Sequence, residues 1–238
     1  MITKGFAVLL DPDKLNPTTL AGRIEAINDS AVDYLFVGGS LISSDNMDMV
    51  LSALEAGTKI PKILFPGNSL HVHGGADAIL LLSLISGRNP EYLIGQHVIS
   101  APMLKRSGMK ILPTGYILVD GGRPTTVTYI SNTHPVPADK PDVAAATALA
   151  GEMLGLQYIY LDAGSGAMHA VPGSMIRQVK ETVSVPVIVG GGIRTPEDAQ
   201  RALTAGADVI VVGNAIEKDP GLLKEIAQTV ASFHFLPA

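Results

Sequence analysis

The chain has 238 residues, 47% of them hydrophobic, with a formal net charge of −5 and no cysteine. These figures exclude disulfides and thiolate metal sites, and no apolar run approaches the roughly 18 residues that a membrane-spanning helix needs. Because the charge is negative and basic runs are missing, nucleic acid is not an expected partner, and we predict a cytoplasmic protein with one domain over residues 1–238.

Strand-like apolar runs alternate with helix-like segments along the chain. The runs are almost continuously apolar, as expected of strands that are covered on both faces. They are FAVLL (6–10), YLFV (34–37), KILF (62–65), AILLL (78–82), GYILV (115–119), YIYL (158–161), VIVG (187–190) and VIVV (209–212). Eight such strands in a chain of this length favour an α/β fold of the TIM or (β/α)8 barrel type over an open doubly wound sheet.

One βα unit departs from the regular pattern. Between the third and fourth strands, PGNSLHVHGGAD (66–77) has too many Gly, Pro and Asn residues for a normal helix. We therefore expect a modified barrel whose third helix is missing or replaced by an irregular segment, with one flank uncovered. An apolar flank of this kind favours a homo-oligomer. On a strand, His71 and His73 would share a face, but no third metal ligand is evident.

Later segments give clearer local signals. Thr195 and Pro196 predict the start of a helix over TPEDAQRALTAG (195–206), and Pro220 predicts the start of the last helix. The alanine-rich residues 142–155 predict a helix packed on the barrel, and this helix is also a candidate subunit contact. DGGRP (120–124) with the β-rich TTVTYI after it predicts a hairpin turn, in which Arg123 is either solvated or able to reach a phosphate.

Glycine-rich loops follow three successive strands. In a barrel these loops lie on the catalytic face, where main-chain N–H groups and helix N-termini can hold a phosphate. One such loop alone would indicate only a tight turn, but three in succession favour a phosphate site. Its predicted donors are Gly164, Ser165, Gly166, Gly191, Gly192, Gly213 and Asn214.

Oxygen-bearing side chains follow the first two strands. Asp11 lies in LLDPDK (9–14), and Ser40 lies in VGGS (37–40). Hard oxygen ligands of this kind suit Mg²⁺, which needs few protein groups when a substrate phosphate completes its shell. The alternative is that Asp11 or Asp13 only caps the following turn, since Asp-Pro is also a turn signal.

The ordered motifs LLDPDK, VGGS, RNPEYLIGQH, YLDAGSGA, VGGGIRTPEDA and ADVIVVGNAIEKDP resemble the geranylgeranylglyceryl phosphate synthase family, including its heptaprenyl-transferring bacterial members. The resemblance is to the second of the family's two groups. It implies a barrel without its third helix and a transferase of ether phospholipid biosynthesis. Such an enzyme joins sn-glycerol 1-phosphate to a prenyl diphosphate by an ether bond, uses Mg²⁺ and releases diphosphate.

The resemblance also assigns roles to residues. Asp11 and Ser40 would bind Mg²⁺ and the diphosphate. The glycerol phosphate would be surrounded by Tyr160, Leu161, Asp162, Ala163, Gly164, Ser165, Gly166, Gly191, Gly192, Gly213 and Asn214.

Within this set we expect Asp162 to be catalytic, by accepting the hydroxyl proton or hydrogen-bonding the glycerol. Tyr160 either positions the same substrate or is a core residue. The family usually has Glu where this chain has Asp162, which leaves open another phosphorylated acceptor such as 3-phosphoglycerate. His71 and His73 are also not part of the family pattern.

Other assignments stay open at this stage. The prenyl tail needs an apolar channel, for which the uncovered flank is the natural place, and His97 is expected to pack or hydrogen-bond at the barrel mouth. A barrel isomerase would use the same glycine loops without needing Mg²⁺ or an apolar channel. A non-catalytic barrel that binds a phosphorylated lipid would also use them.

Overall fold

The computed structural model describes residues 4–43, 46–68 and 71–233. Eight parallel strands form a closed barrel in which each strand pairs with its neighbour in the chain and β8 pairs with β1. The strands are β1 Gly5–Leu10, β2 Tyr34–Gly39, β3 Lys62–Pro66, β4 Ala78–Leu84, β5 Lys110–Leu118, β6 Tyr158–Asp162, β7 Val187–Gly190 and β8 Val209–Val212. The predicted barrel and its eight strands are confirmed.

Nine α-helices lie in the described ranges: α1 Pro17–Asn28, α2 Met47–Gly57, α3 Gly95–Ser107, α4 Thr126–Ser131, α5 Pro141–Met153, α6 Gly173–Thr182, α7 Pro196–Thr204, α8 Asn214–Lys218 and α9 Leu222–Ser232. Short 3-10 helices span Pro12–Lys14 and Pro90–Tyr92. No helix in the described ranges combines the length and the apolar character that a membrane crossing requires.

The strands are apolar on both faces because each face is buried against a different layer. One set of side chains fills the barrel interior and includes Phe36, Phe65, Tyr116 and Tyr160. The other set, which includes Leu161, packs between the sheet and the helices. This double burial explains why the runs lack the alternation of a half-exposed strand.

The irregular unit was predicted correctly. Between β3 and β4, the described residues 67–68 and 71–77 contain no α-helix. His71 and His73 lie here and not on a strand. The Nδ1 atom of His71 accepts a hydrogen bond from the Gly67 N–H at 3.0 Å, and His73 Nδ1 lies 3.0 Å from Asp48 Oδ1. Within the described ranges no three His, Cys, Asp or Glu side chains are grouped as a metal site would require.

Two predicted helices are confirmed, and a third begins later than expected. Thr195 caps α7, and its Oγ accepts a hydrogen bond from the Asp198 N–H at 3.2 Å. The alanine-rich helix is α5, whose small buried side chains allow close packing against α6. The last helix, α9, begins at Leu222, because residues 219–223 first form a turn with hydrogen bonds to the carbonyls of Asp219 and Pro220.

The hairpin predicted for residues 120–130 is wrong, because TTVTYI forms helix α4. The hydroxyl of Thr128 accepts a hydrogen bond from the Thr125 N–H at 3.3 Å and closes the first helical turn. Val127 then packs against the barrel interior. Tertiary packing thus overrides the β propensity of these residues.

Strand β5 also begins five residues before the predicted run. The predicted run began only at Gly115 because Thr114 is polar. In the structure Thr114 belongs to the strand, and its buried hydroxyl donates to the Leu112 carbonyl at 2.8 Å.

The barrel closes where the first strand pairs with the last. Gly5 to Val8 pair in register with Val209 to Val212. At the N-terminal end of this seam, Asp208 Oδ1 lies 3.6 Å from Lys4 Nζ, and Asp208 Oδ2 accepts from Lys180 Nζ at 2.6 Å. The loops that follow β1 and β8 therefore lie side by side at the opposite, C-terminal end of the strands.

Candidate active site

A cavity of about 400 Å³ lies at the C-terminal ends of the strands. Loops that follow β1, β2, β6, β7 and β8 line it, which is the arrangement of a TIM-barrel active site. The predicted site residues that line it are Asp11, Ser40, Tyr160, Asp162, Gly164, Ser165, Gly166, Gly191, Gly192, Gly213 and Asn214.

Leu161 and Ala163 are the predicted site residues that do not line the cavity. Both side chains are buried between the sheet and the helices. The N–H of Ala163 is also used in the sheet, where it donates to the Gly190 carbonyl at 3.1 Å. Both residues were predicted in the site because they belong to the motif. Side chains alternate along β6, and this alternation turns Leu161 and Ala163 away from the barrel interior.

The glycines of the β6 and β7 loops adopt left-handed conformations. The φ angles are +86° at Gly164, +78° at Gly166, +74° at Gly191 and +73° at Gly192. A Cβ atom on Gly192 would also lie 2.5 Å from the His169 carbonyl oxygen, so a side chain is excluded there by space as well as by conformation.

These loops present main-chain donors at the rim of the cavity. Within the described part of the chain, the N–H groups of Ser165, Gly166, Gly191 and Gly192 have no main-chain acceptor. The Gly164 N–H differs, because it donates to Asp162 Oδ1 at 2.8 Å. The loops can therefore donate several hydrogen bonds to an oxyanion, whereas the Gly164 N–H is already bonded to the Asp162 carboxylate.

Asn214 joins two of the loops. It is the first residue of α8, which Gly213 caps, and its Nδ2 donates to Ser165 Oγ at 3.0 Å. The loops after β6 and β8 are thereby held together across the rim.

Asp162 is a buried carboxylate with a donor on each oxygen. Its Oδ2 accepts from the Tyr116 hydroxyl at 2.5 Å, and its Oδ1 accepts from Gly164. Burial raises the pKa of Asp162 above its ordinary value, whereas the hydrogen bonds from Tyr116 and Gly164 act to lower it. The carboxylate still has lone pairs for a substrate hydroxyl.

Tyr116 is a site residue that the sequence did not reveal. Its strand is recognisable, but its contact with Asp162 depends on register, which pairs Tyr116 with Tyr160 and Leu118 with Asp162. Burial, and then the neighbouring Asp162, raise the pKa of Tyr116 well above its ordinary value. The phenol is therefore a donor at any working pH.

The position of Tyr160 is compatible with both roles considered for it, substrate positioning and core packing. Its side chain is 1% exposed, and its ring lies 5.5 Å from that of Phe65 and 5.4 Å from that of Tyr116, centroid to centroid. It is thus part of the aromatic core, yet it also borders the cavity. Burial and the charge of Asp162 raise the pKa of its phenol well above the ordinary value.

Asp11 caps the following turn and also faces the cavity. Its Oδ1 accepts from the Asp13 N–H at 3.1 Å, and its Oδ2 lies 3.2 Å from Lys14 Nζ. Asp13 in turn accepts from the N–H and the hydroxyl of Ser43, at 2.7 and 2.8 Å. This contact fixes the β1 loop against the β2 loop, which carries Ser40. The carboxylate of Asp11 and the hydroxyl of Ser40 are the oxygen donors that suit Mg²⁺.

Lys14 is a second residue that sequence analysis passed over. Its Nζ lies 3.2 Å from Asp11 Oδ2, 3.0 Å from Glu217 Oε2 and 2.9 Å from Asn214 Oδ1. Partial burial opposes its charge, but hydrogen bonds to Glu217 and Asp11 raise the pKa of Lys14 above its ordinary value. No local pattern could show this, because two of its partners lie about 200 positions later.

An apolar groove adjoins the cavity on the flank where the described residues between β3 and β4 form no α-helix. Gly39, Ser40 and Phe65 border both spaces. The groove's apolar lining comprises Phe65, Pro66, Val72, Ile79, Leu82, Leu84, Tyr92, Tyr116, Val127 and Ile130.

His97 lies in the groove wall, where Nε2 is 3.1 Å from Ser83 Oγ. Burial lowers the pKa of His97, which favours the neutral ring. This position agrees with the packing role predicted for it.

Arg123 is exposed in the turn after β5 and borders the cavity. A Cβ atom on Gly166 would lie 2.7 Å from its Nη2. The guanidinium therefore lies over the β6 loop, within reach of an anion held by that loop.

Comparisons with known proteins agree with this geometry. The PcrB family model matches residues 1–230. The chain is 58% identical to the geranylgeranylglyceryl phosphate synthase of Spirosoma linguale, over 97% of this chain and 93% of the relative. It is 45% identical to that of Thermococcus gammatolerans, over 89% of this chain and 83% of the relative.

A solved structure extends the comparison to three dimensions. It is (S)-3-O-geranylgeranylglyceryl phosphate synthase from Thermoplasma acidophilum, in complex with its substrate sn-glycerol-1-phosphate. The TM-score is 0.91 at 36% sequence identity, over 97% of this chain and 94% of that chain. With a family model that spans nearly the whole sequence, the chain belongs to the PcrB family and is a prenyltransferase of the geranylgeranylglyceryl phosphate synthase type.

Proposed function

We propose that the enzyme joins sn-glycerol 1-phosphate to a prenyl diphosphate of geranylgeranyl length or longer by an ether bond, with Mg²⁺ and release of diphosphate. The observation that carries the proposal is the junction of the two spaces at Gly39, Ser40 and Phe65. The apolar tail and the diphosphate group of the prenyl donor would meet there, opposite the glycine loops.

The acceptor would lie against the β6, β7 and β8 loops. The N–H groups of Ser165, Gly166, Gly191 and Gly192 would hold its phosphate, and charge-assisted hydrogen bonds of this kind contribute about 1.5–3 kcal/mol each. This placement directs the terminal hydroxyl of the glycerol towards Asp162, the buried carboxylate beside the loop. The glycerol phosphate in the Thermoplasma acidophilum relative supports the class of acceptor.

The chemical step is a substitution at the first carbon of the prenyl chain. A bond forms between the glycerol hydroxyl oxygen and this carbon while the bond from the carbon to the diphosphate oxygen breaks. The electron pair leaves with the diphosphate. Asp162 accepts the hydroxyl proton, while Tyr116 and Gly164 fix the orientation of the carboxylate.

Asp11 and Ser40 would hold the Mg²⁺. When bound, the ion neutralises charge that accumulates on the departing diphosphate. The hard oxygen donors fit this ion, and a substrate diphosphate and water would complete its shell. Oδ2 of Asp11 lies 3.2 Å from Lys14 Nζ, so this oxygen is already next to a positive charge.

The prenyl tail would lie in the apolar groove. Each buried CH₂ group contributes about 0.8 kcal/mol, so a C20 or longer chain can dominate the affinity for the donor. The absence of an α-helix between β3 and β4 in the described residues gives the groove its space.

Membership of the PcrB family decides between the classes that the sequence left open. The protein is a prenyltransferase, and neither the isomerase nor the non-catalytic barrel is retained. A different phosphorylated acceptor such as 3-phosphoglycerate is the alternative within the class, because the resemblance implies Glu at the position of Asp162.

The test is mass spectrometry of products from C15 to C35 prenyl diphosphates. Glycerol 1-phosphate, glycerol 3-phosphate and 3-phosphoglycerate are each supplied separately, with and without Mg²⁺. We expect an ether product only with glycerol 1-phosphate and Mg²⁺. Preferential use of 3-phosphoglycerate, or full activity in the presence of a chelator, would contradict the proposal.

We also propose that copies of the chain associate. Ile94, Val98, Ile99 and Met103 are 60%, 66%, 63% and 41% exposed on and beside α3. Apolar side chains grouped in this way on one helix are typical of an interaction surface.

A further inference from the structure

We propose that Lys14 contacts the substrate diphosphate and competes with the divalent cation for Asp11. The inference rests on the proposed function and adds a residue to its machinery. It starts from the position of the ammonium group, which touches both halves of the site.

The three donors of the Lys14 ammonium have three acceptors. One is Asp11 on the β1 side, and two are Asn214 and Glu217 on the β8 side. Asn214 also donates to Ser165, so the contacts form a chain from Asp11 to the β6 loop. Lys14 is thus the link between the proposed diphosphate half and the proposed glycerol phosphate half.

The charge of the cavity explains why a cation is needed at this point. In the described residues, its lining carries four carboxylates (Asp11, Asp162, Glu217, Asp219) and four cations (Lys14, Arg123, Arg194, Lys218), which balance. A phosphate monoester alone adds a charge of about −1.5 to −2 at pH 7, and the diphosphate adds more. A single divalent ion does not offset this charge, and a cationic side chain beside the diphosphate would add to the hydrogen bonds of the glycine loops.

Lys14 is placed to make this contribution where the leaving group forms. Its side chain is 44% exposed, whereas that of Glu217 is 16% exposed, so the ammonium is anchored on one side and open on the other. A divalent ion on Asp11 Oδ2 would repel the ammonium from that oxygen. One of its three donors would then turn to the diphosphate, and Glu217 and Asn214 would keep it in place.

Metal binding tests the competition without any substrate. Free Mn²⁺ is measured by electron paramagnetic resonance as each protein is titrated with the ion. Lys14→Met should bind Mn²⁺ more tightly by about threefold, the effect expected of a partly exposed ion pair. Lys218→Met removes the same charge from the cavity lining and controls for long-range electrostatics, so its change should be smaller. Asp11→Asn should abolish this binding.

Steady-state kinetics test the substrate contact. Lys14→Met should raise KM for geranylgeranyl diphosphate and lower kcat by about a hundredfold, as for loss of one group that stabilises a developing anion. Lys14→Arg keeps the charge, should melt at the wild-type temperature and should recover part of the KM. This second variant separates a lost contact from a lost fold.

The outcomes separate the two proposals. Equal Mn²⁺ affinity in Lys14→Met and Lys218→Met would overturn the inference. Wild-type kinetic constants in Lys14→Met, or Mn²⁺ binding that survives Asp11→Asn, would also overturn it. In each of these cases an ether product from the wild-type enzyme leaves the proposed reaction intact, although Mn²⁺ binding that survives Asp11→Asn would remove Asp11 as the metal ligand. A wild-type enzyme that binds Mn²⁺ through Asp11 but forms no ether product overturns the proposed function, and the substrate contact of Lys14 with it.

Discussion

The hydroxyl of Tyr116 donates a 2.5 Å hydrogen bond to Asp162 Oδ2, although 46 positions separate the two residues. Parallel pairing of β5 with β6 brings them together inside the barrel mouth. The bond opposes the effect of burial, which raises the pKa of Asp162. Tyr116 thus helps to keep the carboxylate ionised, which is the form that can accept a proton.

Replacement of this phenol should shift the pH dependence. Since the ionised carboxylate is the active form, activity falls as pH drops through the pKa of Asp162. Tyr116→Phe removes a hydrogen bond that lowers this pKa, so the acidic limb of the kcat/KM profile should move to higher pH, with kcat about tenfold lower at neutral pH. Tyr34→Phe, at the opposite end of the barrel, is the control, and an unmoved limb in Tyr116→Phe would remove Asp162 from proton transfer.

Loss of the carboxylate itself should slow the chemical step. Asp162→Ala should lower kcat by about a hundredfold or more, in the range for a general base. It should also reduce the free energy of unfolding by about 1–3 kcal/mol, because Tyr116 and Gly164 lose their acceptor. Rapid quench and thermal melting measure the two effects. A variant with lower stability but normal kcat would give Asp162 a structural role only.

The proposed metal ligand makes a separate prediction. Asp11→Asn should nearly abolish turnover and weaken binding of the prenyl diphosphate when Mg²⁺ is present, because the amide carries no charge for the ion. Binding measured by calorimetry with and without Mg²⁺ checks this. Asp142→Asn, exposed in the first turn of α5, is the matched control. Kinetics like those of the wild type in Asp11→Asn would rule this residue out as a ligand.

The groove can be tested by narrowing it. Val127 lines the groove from α4. Val127→Trp should raise KM for geranylgeranyl diphosphate about tenfold, as expected when burial of about two CH₂ groups is lost. KM for dimethylallyl diphosphate should change little, because its tail is short. Val143→Trp on the exposed face of α5 is the control, and equal effects on both donors would show that the tail binds elsewhere.

Association of copies can be measured by light scattering. The pair Val98→Glu and Ile99→Lys places opposite charges on α3 without changing net charge, and it should lower the mass of an assembly that uses this face. Met153→Glu tests the exposed end of α5, the other candidate contact. A wild-type mass equal to that of one chain would contradict association altogether.

Much of the fold could be predicted from local pattern. Continuous apolar runs marked all eight strands, because burial on both faces leaves no polar alternation. Thr195 and Pro196 marked the start of α7 through hydrogen bonding that involves only near neighbours. The lack of an α-helix in the described residues between β3 and β4 was also predictable, since this segment is rich in Gly, Pro and Asn.

Interactions between distant residues set the limit of prediction. The β-branched residues of TTVTYI favour a strand locally, but they form α4 because Val127 packs against the barrel interior. Leu161 and Ala163 were placed in the site by a motif, whereas alternation on β6 turns them away. Tyr116 and Lys14 were missed because their partners are chosen by strand register and by barrel closure.

The closure of the barrel through β1 and β8 has a consequence for biosynthesis of the enzyme. The β1 loop is made before the β8 loop, yet Lys14 of the one contacts Asn214 and Glu217 of the other. Until residues 209–218 have left the ribosome, the nascent chain has unpaired edges on β1 and β7 and an incomplete rim. A chain that ends before β8 therefore leaves two strand edges unpaired and lacks the Asn214 and Glu217 contacts of Lys14.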